Sequence, residues 1–146
     1  MTDGVDLLAE EPLYRLDDQV GFILRQVQQR HALIFAGAFE DMTPTQWAAL
    51  AKLAERRECS QNLLGRLVSM DVATVKGVVD RLIRRGLAET SADPDDRRRI
   101  VVRLTRAGEE FYERGAAKAL QVTDETLEPL TEREREQLLG LLRRMR

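Results

Sequence analysis

The stretch that decides the fold is Asp93-Pro94-Asp95-Asp96-Arg97-Arg98-Arg99-Ile100-Val101-Val102-Arg103-Leu104-Thr105. An acidic turn containing a proline meets three consecutive arginines and then a run in which apolar residues predominate. Acid-rich turn chemistry followed by β-branched residues reads as a hairpin, with strands at Leu87–Thr90 and Arg99–Leu104. Upstream, Ser60 to Arg85 carries two short helical patterns in succession. A basic hairpin placed after such a pair is the construction of a winged helix-turn-helix. Arginines this crowded do not serve a core, and their natural partner is a row of phosphates or a narrow minor groove.

Working outward, Asp71 caps a helix running to Arg85, with Val75, Val78, Val79, Leu82 and Ile83 inward and Gly86 as its stop. Before it, a helix from about Ser60 to Val68 carries Leu63, Leu64 and Leu67. Thr43, Pro44 and Gln46 spell an N-cap, a first-turn proline and a capping box for a helix with Trp47, Leu50, Ala51 and Ala54 on its apolar face. Tyr14 to Phe39 is a long helical pattern with Leu16, Val20, Ile23, Leu24 and Val27 near helical spacing. After the hairpin, Thr105 caps a helix from about Arg106 to Glu128, and Thr131 with Glu134 forms the capping box of a last helix to Met145. The fold class is mainly α with a small β-hairpin. It divides into an N-terminal extension and helix (1–40), a DNA-reading unit (41–105) and terminal helices (106–146). The first and last parts have narrow apolar faces that a second copy would cover.

Composition bounds the rest. The 146 residues make one domain, or one domain with an extension. A net charge of −2 is unlike a nucleic-acid binder, but the charge is unevenly placed. Between Asp71 and Arg85, Lys76, Arg81, Arg84 and Arg85 outnumber Asp71 and Asp80, giving +2. Between Asp93 and Arg106, five arginines outnumber three aspartates, again +2. The acids gather in Asp3–Glu11 and Glu109–Glu136, so a basic face is expected in mid-chain. No apolar run approaches membrane length and the start is acidic, so no membrane span or signal peptide is expected. One cysteine excludes internal disulfides and fits a reducing cytoplasm. One histidine and one cysteine give no metal site, and no Gly-rich phosphate loop or Ser, His and Asp spacing suggests an enzyme or a cofactor.

With these residues in place the chain resembles the MarR (multiple-antibiotic-resistance regulator) family of transcription factors over almost its whole length. The resemblance rests on Val79-Asp80-Arg81-Leu82-Ile83-Arg84-Arg85-Gly86-Leu87, on Asp93-Pro94-Asp95-Asp96-Arg97-Arg98, and on Val102-Arg103-Leu104-Thr105-Arg106-Ala107-Gly108, all in register. It implies a homodimer of winged helices with interlocked terminal helices, two recognition helices in successive major grooves of palindromic double-stranded DNA, and repression as the default.

Residue by residue, Ala73, Thr74, Lys76 and Gly77 are left outward near the start of the Asp71–Arg85 helix, with Asp80 and Arg81 a turn later. Thr74 suits a base edge or a thymine methyl, Lys76 a guanine or phosphate, and small Ala73 and Gly77 allow close approach. The alternative is a merely solvated helix, and Asp80 with Arg81 fits a local ion pair equally well. Ser60 and Gln61 begin the preceding helix, where Ser60 serves as an N-cap, a phosphate ligand or both. In the hairpin, Arg97 matches the family arginine that enters the minor groove, and Arg98 and Arg99 suit flanking phosphates. Strand alternation is expected to turn one of those two away. Asp93 or Asp96 is expected to hold Arg97 or Arg98 through a charge-assisted bond.

The segment Leu16–His31 is similar to regulators of aromatic-acid catabolism, some of which respond to aromatic acyl-CoA thioesters such as hydroxycinnamoyl-CoA. That likeness implies a small aromatic acid or acyl-CoA as effector. Phe22, Arg25, Gln29, His31 and Trp47 are the candidate contacts, supplying stacking area and a cation. Phe22 and Trp47 fit a core as well, His31 a structural hydrogen bond, and Arg25 and Arg30 a dimer interface or CoA phosphates. Two other readings stand beside this one: redox sensing through Cys59 near a helix N-terminus, and a winged-helix protein-interaction module that no longer binds DNA.

Overall fold

A computed structural model describes residues 13–146. A 3-10 turn, Leu16–Asp18, leads into α1 (Val20–Ala38) and α2 (Pro44–Arg56). There follow β1 (Glu58–Ser60), α3 (Gln61–Leu67), α4 (Val72–Arg84), β2 (Ala88–Ala92), β3 (Ile100–Leu104), α5 (Arg106–Thr126) and α6 (Glu132–Arg144). The expected acidic leader, Asp3–Glu11, lies outside the described residues. The first helix is shorter than its apolar pattern suggests, because Tyr14–Gln19 forms an extended entry and a tight turn in place of helical turns.

The caps anticipated from sequence are formed. Thr43 and Gln46 exchange both bonds of a capping box, as do Thr131 and Glu134. The Thr105 hydroxyl accepts from the Gly108 amide at 3.1 Å and donates to the Gly86 carbonyl, tying the end of the hairpin to the end of α4. Gly86 has φ +72°, the left-handed conformation that costs glycine least. The Gly86 amide bonds the Ile83 carbonyl and that of Leu87 the Leu82 carbonyl, both at 2.9 Å, so α4 stops in a Schellman turn.

The hairpin is part of a three-stranded antiparallel sheet of order β1-β3-β2. In it Cys59 lies opposite Val102, and Ala88 opposite Leu104. The core sits beneath this sheet and between the helices, built from Leu50, Leu53, Leu64, Val75, Val78, Val79, Leu82 and Val102, all essentially without solvent contact. Ile83 departs from the sequence reading. It is 37% exposed, because Val75, Val78, Val79 and Leu82 already fill the inward face of α4.

An aromatic ladder joins α1, α2 and α5. Phe35 stacks on Phe39 at 4.7 Å between centroids, Phe39 meets Trp47 at 5.0 Å, and Trp47 stacks on Tyr112 at 5.6 Å. At the outer face the apolar residues of α1 have no cover among the described residues. Val20 is 60% exposed, Ile23, Leu24 and Val27 are also exposed, and α6 buries no residue fully.

Candidate nucleic-acid interface

Three local devices present α4 to solvent. Gly65 lets α3 lie close against it: a Cβ there would stand 3.1 Å from the Met70 carbonyl and 3.2 Å from a Val75 methyl. The chain then reverses through Ser69, which adopts φ +57°. Asp71 caps the new helix, its carboxylate accepting from the Thr74 amide at 2.7 Å. That bond, with lesser help from the Thr74 side chain and the Ala73 amide, holds the Asp71 carboxyl below its ordinary range.

With Val75, Val78, Val79 and Leu82 inward, Ala73, Thr74, Lys76 and Arg81 are exposed, and Gly77 and Asp80 half-buried. All six predicted positions therefore share the outward side of one helix. Asp80 pairs with Lys76, one turn away at 3.1 Å, and not with Arg81. The Lys76 side chain is 65% exposed and that of Asp80 43%, so the pair is worth only about a few tenths of a kcal/mol and Lys76 is released from it at little cost. Val72 was missed by the sequence reading. It continues the apolar spacing of Val75 and Val79, yet it is 70% exposed because the packing begins a turn later. An outward aliphatic group at the first turn can meet a thymine methyl. Ser60 is half-buried and its hydroxyl accepts from the Leu63 amide at 3.1 Å, so it works as the α3 N-cap, with Gln61 beside it.

The hairpin tip, Asp93–Arg99, is organised by its aspartates in a way the sequence reading did not anticipate. Asp93 accepts from the Asp95 amide at 2.9 Å, and Asp96 accepts from the Arg98 amide at 3.0 Å. The loop closes through Asp93 N–H to Arg99 O and Arg99 N–H to Asp96 O. The carboxylates thus shape the backbone instead of clamping an arginine side chain, the familiar Asx-turn behaviour. Among the described residues no ion pair engages Arg97, Arg98 or Arg99, and all three are exposed. Arg98 and Arg99 both precede β3, so strand alternation does not send them to opposite faces. The tip can offer three cations to a polyanion at once.

The candidate effector contacts are not gathered into one cavity. On α1, Phe22 is half-buried while Arg25 and Gln29 are exposed. His31 bonds the Thr126 hydroxyl at 2.8 Å and lines a groove between α1, α5 and α6. Arg30 donates to the Thr126 and Glu125 carbonyls at 2.6 and 2.7 Å, capping the end of α5. Trp47 lines a different cavity, between α2 and α5. Cys59 is buried on β1, and that burial pushes its thiol above the usual 9.0, with the charge of Arg56 opposing. A thiol held protonated is a poor nucleophile, which weighs against redox sensing there. Among the described residues no three His, Cys, Asp or Glu side chains converge as metal ligands, and no helix is long and apolar enough to cross a membrane.

Comparison with known proteins agrees with this geometry. A family model described as the MarR family matches residues 42–100, which run from α2 through the hairpin tip to the start of β3. The HTH-type transcriptional repressor NicR of Pseudomonas putida is 36% identical over 134 residues, covering 90% of this chain and 85% of NicR. A probable transcriptional regulator from Pseudomonas aeruginosa superimposes with a TM-score of 0.87 at 55% identity, covering 90% of this chain and all of that one. Bordetella bronchiseptica BpsR, whose DNA binding is regulated by 6-hydroxynicotinic acid, superimposes with a TM-score of 0.86 at 36% identity, covering 90% of this chain and 96% of its own. Helix pair, arginine-tipped hairpin and relatives point one way: the chain is a transcriptional regulator and belongs to the MarR family of winged-helix proteins.

Proposed function

We propose that this regulator is a cytoplasmic homodimeric repressor that grips a palindromic operator and lets go when a small aromatic acid binds. Residues 41–105 read the DNA, and the segments 1–40 and 106–146 hold the dimer. The first turns of α4 enter the major groove, where Thr74 and Lys76 meet base edges or phosphates and Ala73 and Gly77 admit the backbone closely, with Arg81 a turn behind. Arg97 enters the minor groove, Arg98 and Arg99 neutralise flanking phosphates with Asp96 shaping the loop beneath them, and the start of α3 at Ser60 and Gln61 lies along the backbone.

The observation that carries this reading is the pairing of an outward α4 face with a hairpin tip whose three arginines have no ion-pair partner among the described residues. Dimerisation is supported by the apolar stripe of α1, which no described residue covers, and by Leu141 of α6, which is 54% exposed. A helix stripe of this kind is normally covered in the working molecule. A free aromatic acid, rather than its CoA thioester, is supported by the response of BpsR to 6-hydroxynicotinic acid.

The test is anisotropy titration of the DNA upstream of the protein's own gene, with sedimentation of the complex. The panel includes 6-hydroxynicotinate, hydroxybenzoates and hydroxycinnamoyl-CoA. Two protomers per duplex and release by a free acid are expected. A monomer that binds no duplex at low salt overturns the proposal, and release by the thioester alone transfers the effector role to that class.

A further inference from the structure

We propose that Val72 reads a thymine in the operator by its C5 methyl, so that one aliphatic side chain fixes one base pair of each half-site. This rests on the DNA-reading proposal above and adds a specificity-determining residue to it. Among the large apolar residues between positions 41 and 105, only Val72, Ile83 and Ile100 are exposed, at 70%, 37% and 46%. Val72 is thus the most exposed of them, and it stands at the first position of α4.

An isolated outward valine is ordinary on a protein surface. Its neighbours set this one apart. Ala73, Thr74 and Lys76 are exposed beside it on α4, and the hairpin tip holds Arg97, Arg98 and Arg99 without an ion pair among the described residues. Those cations supply attraction to phosphates, which carries no sequence information. The protomer's own packing has no need of an apolar group at position 72. Met70 and Val75, on either side of the Asp71 cap, pack with the core, so the first turn of α4 is already anchored. Valine is also a poorer helix former than alanine, because its branched Cβ crowds the preceding turn.

The chemistry of the group selects its partner. In the major groove thymine presents a methyl, whereas cytosine presents an amino donor and the purines an N7 acceptor. Valine has neither donor nor acceptor. Against thymine it buries methyl on methyl; against the other bases it strips water from a polar edge and returns no hydrogen bond. In a helix its χ1 is confined to essentially one rotamer, so both methyls are in place before DNA arrives. Lys76, by contrast, sits on a flexible stem that reaches base or phosphate.

Exchanging thymine for uracil removes that methyl and nothing else. Single thymines in the nuclease-protected stretch upstream of the gene are replaced by deoxyuridine, and each duplex is titrated by anisotropy with wild type and Val72→Ala. Wild type is expected to lose about fourfold at one thymine in each half-site, the worth of one buried methyl, and about fifteenfold when both are replaced. Val72→Ala is expected to bind thymine and uracil equally at those positions, with a urea midpoint unchanged or slightly raised because the side chain it shortens is exposed. A uracil penalty of the same size in Val72→Ala, or no thymine whose methyl matters to wild type, overturns this inference while leaving operator binding standing. A wild-type protein that binds no duplex at low salt overturns both.

Discussion

Replacing Gly115 by alanine tests the packing that joins the two halves of the protomer. A Cβ at Gly115 would lie 2.6 and 2.8 Å from two ring carbons of Trp47 and 3.2 Å from one of Phe39. Those rings cannot simply swing aside, because Trp47 is held between Phe39 and Tyr112, and Phe39 stacks on Phe35. Overpacking of this kind costs about 2 kcal/mol. Disturbing the two aromatic pairs of Trp47 adds about 1 kcal/mol. Alanine's better helix propensity returns about 1 kcal/mol. The net is about 2 kcal/mol of destabilisation, or a fall in Tm of about 4–8 °C. Thermal and urea unfolding at fixed protein concentration measure it. Gly77→Ala is the matched control, since its Cβ would meet nothing nearer than an Arg81 nitrogen at 3.9 Å. That variant should gain about 0.5–1 kcal/mol in the free protein while losing operator affinity. A Gly115→Ala protein as stable as wild type would refute the ladder's role.

Other consequences are open to simple measurement. Thr43→Ala removes the hydroxyl that accepts from the Gln46 amide, while its backbone N–H still donates to Gln46 Oε1, and should cost about 1 kcal/mol in urea unfolding, against no change if the cap is idle. Asp71 and Glu134 have carboxyl pKa values lowered chiefly by the amides of Thr74 and Thr131, so their stabilisation is complete above the ordinary values of 3.8 and 4.5. It disappears as pH falls through the lower folded-state values. Urea midpoints between pH 6 and 3 should therefore fall on the acid side, and Asp71→Asn should flatten part of that fall. An identical profile in the variant would contradict it. Peroxide treatment should leave operator affinity unchanged, because Cys59 is buried with its thiol held protonated; a response abolished by Cys59→Ser would reverse that conclusion.

The parts of the fold visible in sequence were those with local causes. Thr43, Asp71, Thr105 and Thr131 each needed only a residue three positions ahead to satisfy, and Gly86 needed only its own backbone freedom. β1 was invisible for the opposite reason. Glu58, Cys59 and Ser60 have no strand pattern, and their conformation is imposed by pairing with Arg103, Val102 and Val101, far along the chain. The outward residues of α4 followed from helical periodicity, but Val72 was passed over and Ile83 was placed inward, because periodicity does not say where tertiary cover begins and ends. At the hairpin the charges were read correctly and their partners were not, since aspartates in a tight loop find nearby amides before they find arginine side chains.

The central claim is that paired arginine-tipped hairpins grip one duplex. Its most direct test is operator affinity of wild type and Arg97→Ala across a salt titration. If the hairpins of two protomers each insert Arg97 into the minor groove and displace a counterion there, log Kd against log salt should become shallower by about 2, roughly 0.9 for each arginine, with weaker binding at every salt concentration. The same slope and affinity in both proteins would contradict it.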